Sequence, residues 1–476
     1  MRSCNEGAFP FLFGFAVCLA STSLAASPGV PAVRSASQDY VEYAINNLPN
    51  YFANGPIAAT DNTPADNPIT NAGAMLGRVL FYDGRLSHNN GTSCASCHQQ
   101  STGFGDSAQF SEGFEGGLTP RHSTALANAA YYERGRFFWD ERAETLEEQV
   151  LMPIQDELEM GTDLDQLREE LAATDFYPKL FEEAFGTPEI TNERISKSLA
   201  QFIRSMKSYQ SKYDQAVQAG TPANPDFDSV FTPLERQGAD LFLHGAGRCA
   251  TCHSTHAQVA DRPHNTGLDL DNSDPNDDID DGVGDGSFKV MSLRNVAVRE
   301  RFMHDGRFSS LEEVIEFYNS GIQDNPDLDR GLRVNGEPLR LNMTDQEKAA
   351  LVAFLETLTD ETFLTSELFS DPFEQLPGDY DGSGVVDSAD YLIWKQDFGL
   401  TDSWADGNLD GTVNLADYTI WRNNLGATWE GLSTSTSLQA ASVPEPSSMV
   451  LFCAAGLGLL GWRRVTSRRF YASSDR

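Results

Sequence analysis

Residues 92–98 read TSCASCH and residues 247–253 read GRCATCH. Paired cysteines at this spacing serve three chemistries: a redox disulfide, a zinc site, or covalent attachment of c-type haem. A thioredoxin-like pair sits between a strand and a helix with no histidine behind it. Here His98 and His253 follow directly in both copies. A zinc site needs a fourth ligand at suitable spacing, and none is obvious. Haem accounts for every residue. Cys94 with Cys97, and Cys249 with Cys252, add to the porphyrin vinyl groups, and the adjacent histidine reaches the iron as proximal ligand. The chain therefore reads as a carrier of two covalently bound haem c groups between which electrons can be relayed.

The other cysteines fit this reading. Of seven, Cys4 and Cys18 fall in the first stretch and Cys453 in an apolar C-terminal segment. The first stretch, residues 1–26, has an early arginine, an apolar run and small residues before Ser27, the pattern of a secretory signal peptide cut after Ala25 or Ala26. Every cysteine of the exported soluble part thus belongs to the two motifs. In an oxidising compartment idle thiols are a liability, so these four must be occupied. The formal net charge of -36 repels nucleic acid and anionic membrane surfaces and favours basic partners.

Helical signals dominate from about residue 72 onward. Thr232 with Glu235, and Thr344 with Glu347, form capping-box patterns ahead of apolar stripes, the first with Pro233 at the opening helical position. The expected fold is mainly α: two class I cytochrome c-like haem domains, residues 27–225 and 226–370, then a small EF-hand-type module. The run LDLDNSDPNDDIDDGVGD, residues 268–285, reads as a solvated acidic loop rather than a cation site.

Residues 376–430 hold a repeat with a period of 27 residues, GDYDGSGVVDSADYLIWKQDFG and then ADGNLDGTVNLADYTIWRNNLG. Oxygen-bearing side chains recur at calcium-loop positions: Asp379, Asp381, Ser383, Asp387 and Asp390, then Asp406, Asn408, Asp410, Asn414 and Asp417. Gly384 and Gly411 permit the sharp turn. The last position is Asp rather than Glu, and Pro377 and Gly378 block an entering helix, so the repeat resembles dockerin modules. Calcium is the expected ion, and a surface protein the expected partner of the module. Residues 431–476 form a linker and a tail, VPEPSSMVLFCAAGLGLLGWRRVTSRR, which resembles a PEP-CTERM sorting signal. Its apolar run from Ser447 to Trp462 is shorter than the roughly 20 residues of a stable span. A transient anchor is expected, with a permanent one as the alternative, and the destination is the periplasm or the cell surface.

From about residue 72 to 360 the chain resembles the bacterial di-haem cytochrome c peroxidase family, which includes MauG-like enzymes. The motifs are LGRVLFYDGRLSHNNGTSCASCH, RFFWDERAETLEEQVLMPIQDELEMG, CATCH, HNTGL and SLRNVAVRERFMHDGRFSSLEEVIEFYNSG. The resemblance implies hydrogen peroxide as substrate and a small cytochrome c or cupredoxin as electron donor. It makes His98 the proximal ligand of a peroxidatic haem and His253 that of an electron-transfer haem. Trp139 becomes the residue between the haems, Glu159 the distal acid-base carboxylate, and Gln149 a polar residue of the same pocket. Tyr318 is the expected sixth ligand of the second iron, with Met291, Met303 and Met343 competing. Phe114 stands where reductively activated relatives carry a capping histidine, which implies an open site at the first iron. His122 replaces an inter-haem calcium-binding Asn and reads as structural. His264 and His304 read as structural or haem-propionate contacts, and His88, His244 and His256 carry no assignment. The alternatives are a MauG-like oxidase acting on a protein or organic substrate, and a non-catalytic electron-transfer protein.

Overall fold

Two helix pairs carry the fold, and each closes on one glycine. The computed structural model describes residues 42–44, 48–245, 247–254, 256–258, 262–270, 279–373, 376–380, 385–400, 403, 405–408 and 412–427. The expected signal peptide, the linker and sorting tail, and Cys4, Cys18 and Cys453 lie outside them. Helix α1 (Asn71–Tyr82) starts at Thr70, whose hydroxyl accepts the Gly73 N–H. It crosses α2 (Asn192–Ser205), capped by Thr191. A Cβ on Gly77 would collide with the Ser198 carbonyl and the Phe202 side chain. One turn later Phe81 meets Phe202 edge-on, with ring centroids 5.3 Å apart. Glycine brings the backbones together, and the residue four positions on fills the gap from the same face.

The second pair repeats this. Helix α3 (Pro233–Leu243) and α4 (Asp345–Glu356) begin with the expected capping boxes, Thr232 with Glu235 and Thr344 with Glu347. Gly238 approaches the Ala350 carbonyl as Gly77 approaches Ser198. Phe242 meets Phe354 at 4.9 Å. Past each haem motif an asparagine in the left-handed region, Asn128 or Asn295, opens a 3-10 turn, Ala129–Tyr131 or Val296–Val298. A bridge follows in each half, Phe137 to Ala143 and Phe302 to Phe308. Next come the helix caps Thr145 and Ser310. The second half retraces the first, and both share one apolar core running from Tyr43 to Phe369. Among the described residues the sheet content is a single ribbon, Arg333–Val334 with Glu337–Pro338. The protein is largely helical, consistent with the expected cytochrome c-type fold.

In the 27-residue repeat, α5 (Ser388–Asp397) and α6 (Leu415–Asn424) are joined by reciprocal bonds. Trp394 Nε1 donates to the Asn414 carbonyl at 2.8 Å, and Trp421 Nε1 to the Asp387 carbonyl at 2.6 Å. Gly426 N–H donates to the Val386 carbonyl and Val386 N–H to that of Ala427; Val413 likewise exchanges with Gly399 and Leu400. Tyr380, Trp394, Ala405 and Val413 form its small core.

Candidate functional site

Both attachment motifs present their histidine in the same way. His98 Nδ1 lies 3.0 Å from the Phe104 carbonyl, and His253 Nδ1 3.1 Å from that of Gln258. Phe104 and Gln258 both sit at positive φ, 64° and 50°, which turns each carbonyl back onto the ring. Bonding of Nδ1 to a carbonyl fixes the tautomer and leaves Nε2 for a metal. Burial lowers the proton affinity of both rings, His253 to about 4, so both are neutral and ready to ligate. Cys94, Cys97, Cys249 and Cys252 are free thiols. Among the described residues no cluster of three or more His, Cys, Asp or Glu is placed to hold a metal ion. The donor set fits haem c at both motifs.

Above His98 lies a cavity of about 640 Å³. Its wall includes Gln149, Glu159, Trp139, Arg142, Val150 and Pro153. The sequence-expected Glu159 and Gln149 are thus brought together with His98. Burial, aided by the negative charge of Asp156 and opposed by Arg142, raises Glu159 to about 7. Arg142, whose guanidinium stacks 3.6 Å from the Phe138 ring centroid, was not expected from the sequence. Gly113, rather than Phe114, faces this cavity. The Phe114 N–H donates to the Glu159 carbonyl, and its ring lies beside Gly161 and His88 instead. His88 is exposed. Phe114 therefore does not stand at the capping position that the sequence implied for it.

Above His253 lies a second cavity, of about 250 Å³. Tyr318, Met291, Met303, His264, His304 and Arg299 contribute to its wall. Met343 does not line it: it packs beside the core, its N–H bonded to Asn319. Tyr318 lies in a π-helical turn, Phe317–Gly321, of the kind that often marks functional positions. Burial raises its phenol, with the Cys252 and Cys249 sulfurs adding to the shift. Register relates the two walls. Four and eight residues past the caps stand Gln149 and Pro153 in one half, Val314 and Tyr318 in the other. Arg299 is a half-buried cation whose Nη2 donates to the Ser292 and Arg294 carbonyls while its buried Nε lacks a partner, a group suited to a haem propionate.

Trp139 and His122 line both cavities. The Trp139 indole donates to the His122 carbonyl at 2.7 Å, the His122 N–H to the His304 carbonyl at 2.8 Å, and the Lys289 N–H to the Trp139 carbonyl at 2.8 Å. His122 Nδ1 faces the Ala108 and Gln109 carbonyls, a structural setting. His304 stacks on Phe288, and His264 Nδ1 pairs with Asp329 at 2.6 Å. Asp280, from the acidic loop, pairs with Arg121, which also holds Asp140 beside Trp139; residues 271–278 lie outside the described set. Of the calcium positions, Asp379, Asp387, Asp390, Asp406, Asn408, Asn414 and Asp417 are described, while Asp381, Ser383 and Asp410 are not. Asp390 accepts the N–H groups of Tyr380 and Asp387, and Asp417 those of Asn408 and Asn414.

Sequence reasoning missed Arg142, Arg299, and the Phe104 and Gln258 carbonyls. Arg142 had a signal, since it closes the WDER motif. The others carry no local mark.

Residues 71–221 match the family model described as di-haem cytochrome c peroxidase, and residues 442–465 the PEP-CTERM protein-sorting motif. The chain is 34% identical over 311 residues to the methylamine utilization protein MauG of Methylorubrum extorquens, covering 63% of this chain and 81% of that protein. It is 30% identical over 295 residues to cytochrome c551 peroxidase of Nitrosomonas europaea, covering 60% and 80%. The crystal structure of a MauG-like protein associated with microbial copper homeostasis superposes with a TM-score of 0.59 at 32% identity, over 69% of this chain and 99% of that one.

Proposed function

The chain belongs to the di-haem cytochrome c peroxidase and MauG family, and from that premise we propose that it is an exported peroxidase. It reduces hydrogen peroxide to water with electrons from a small cytochrome c or a cupredoxin. The observation that carries this reading is the pairing of Glu159, held near neutrality, with Gln149 on the wall above His98. When bound, haem supplies an iron that takes up the peroxide oxygen and passes electrons singly.

The side chains do the rest. Cleavage of the O–O bond needs a group that takes a proton from the near oxygen and returns it to the leaving oxygen. A carboxyl with a pKa of about 7 is populated in both forms at neutral pH, so Glu159 serves in both directions. The Gln149 amide orients the peroxide. Trp139, on the wall common to both cavities, is the path for electrons from the second site to the first. Cys94 and Cys97 tether one haem and Cys249 and Cys252 the other, with His98 and His253 on the irons. Residues 27–225 then form the peroxidatic domain and 226–370 the electron-entry domain. The sorting motif supports export, with the tail as a transient or permanent anchor. The repeat at 376–430 is assigned calcium and a surface partner by its sequence pattern. Steady-state peroxide consumption with reduced cytochrome c tests the reading; failure to oxidise any small donor in the presence of peroxide overturns it.

One observation favours a second reading, a MauG-like oxidase. Tyr318 faces the second cavity, and a phenolate on that iron lowers its potential and favours storage of oxidising equivalents. Tyr318→Met then raises the potential of the second haem and leaves the first unchanged in a spectroelectrochemical titration. If Tyr318→Met leaves both potentials where they were, Tyr318 is not a ligand.

A further inference from the structure

Each histidine assigned to an iron stands at the foot of a ladder of aromatic rings, and the two ladders differ in their last rung. In the first half His98 lies 6.4 Å from Phe81, Phe81 5.3 Å from Phe202, and Phe202 6.2 Å from Tyr43. In the second His253 lies 6.4 Å from Phe242, Phe242 4.9 Å from Phe354, and Phe354 6.1 Å from Tyr213. Both ladders end in a buried tyrosine. The Tyr43 hydroxyl meets the Met75 sulfur at 3.8 Å and the Arg78 guanidinium at 3.4 Å, neither of them a base. Tyr213 instead lies 2.8 Å from His256 Nδ1. In the tautomer that carries its proton on Nε2, the His256 Nδ1 lone pair accepts the Tyr213 O–H.

We propose that Tyr213 and His256 form a redox-active pair that gives up an electron when the external donor is exhausted. The inference rests on the peroxidase reading. Reduction of one hydrogen peroxide to two waters consumes two electrons and two protons. Without donor, solvent supplies the two protons, a bound haem would supply one electron, and Tyr213 gives the other. The phenolic O–H bond breaks, the electron leaves along the ladder toward His253, and the proton passes to His256 Nδ1. The products are a neutral phenoxyl on Tyr213 and an imidazolium on His256. An electron from returning donor reduces the phenoxyl, and the proton goes back from Nδ1. A phenol is far easier to oxidise when its proton has a base to go to at hydrogen-bond distance, and that separates Tyr213 from Tyr43. Nearby Tyr51 is a weaker candidate. It donates at 2.6 Å to Asp214, but that carboxylate is already bound by Arg294 and by the N–H and O–H of Ser211.

The test is freeze-quench electron paramagnetic resonance of the two-haem protein after one molar equivalent of hydrogen peroxide, without donor. A tyrosyl radical is expected in the wild type. It is lost in Tyr213→Phe and retained in Tyr43→Phe and Tyr51→Phe. His256→Gln keeps a hydrogen-bond acceptor but no basic nitrogen, and it too loses the signal while both haem spectra stay unchanged. A purely structural Tyr213–His256 bond would leave no such signature. A signal that survives Tyr213→Phe overturns the proposal. So does a wild type that consumes peroxide with reduced cytochrome c yet shows no tyrosyl radical, in which case the peroxidase reading stands alone. If the wild type consumes no peroxide even with donor, both fall together.

Discussion

The two haem-binding halves agree on one side of each expected iron and disagree on the other. On the proximal side the devices coincide: a histidine whose Nδ1 is bonded to a carbonyl from a left-handed residue, above a phenylalanine set by a glycine-closed helix crossing. On the distal side the polarity is exchanged. Gln149 and Pro153 face Val314 and Tyr318 at matching steps past the caps Thr145 and Ser310. Attachment is therefore a property of the shared backbone plan, while the kind of chemistry is set by a few side chains on one short helical turn. A larger cavity with a titrating carboxyl suits a reacting ligand. A smaller one closed by a phenol suits an electron carrier.

The comparison breaks most visibly at the thiols. Cys94→Ala and Cys249→Ala should each reduce the pyridine haemochrome count from two haems to one. Loss of the first haem removes the reacting site, so peroxide consumption disappears altogether in Cys94→Ala. An unchanged haem count in either variant would contradict the attachment. Next in size, Glu159→Gln should slow peroxide consumption about 100-fold or more, the scale of a lost acid-base group. Its pH dependence sharpens the point. The carboxylate must take up a proton first, so the wild-type rate should rise as pH increases through about 7 and level off above it, while the Gln variant stays flat. An inflection that persists in Glu159→Gln assigns the titration to another group.

A smaller effect tests the shared side. Gly77→Ala and Gly238→Ala each push a methyl into the opposing helix backbone and should destabilise by about 1–3 kcal/mol, to a similar extent in both halves. Thermal unfolding followed at the haem bands measures this. A neutral outcome at one site alone would show that the duplication of the crossing is only apparent. The smallest effect on the haem region is expected from the 27-residue repeat, which is assigned calcium only by its sequence pattern. Removing calcium with a chelator should change Trp394 and Trp421 fluorescence and lower the helicity of residues 388–424, while both haem spectra remain as they were. Calorimetry without a calcium-binding signal would leave the repeat as a metal-free fold.

Much of this was legible in the sequence where chemistry is carried by neighbours along the chain. The haem motifs and the two capping boxes follow from short patterns, whereas Trp139, Gln149 and Glu159 were singled out only through the family resemblance. The illegible parts depend on distant partners. Nothing local marks Gln258 as a left-handed residue serving His253, and Tyr213 meets His256 across 43 residues. Arg299 is one arginine among several until burial leaves its Nε without a partner. The Phe114 ring turns to Gly161 and His88 rather than to the cavity, a direction that no short pattern announces.

The reciprocal bonding of the 27-residue repeat has a mechanical consequence. Val386 is tied to Gly426 and Ala427, so the chain leaves this module beside the end of its first loop, just ahead of α5. A load along the chain enters at Gly378, which lies against the Trp421 backbone, and leaves at Ala427, beside the Val386 bonds. The bonds nearest that exit are the two at Val386, and the indole bonds lie behind them. Under tension on a tethered tail, the repeat would act as a weak link that opens early and spares the haem core.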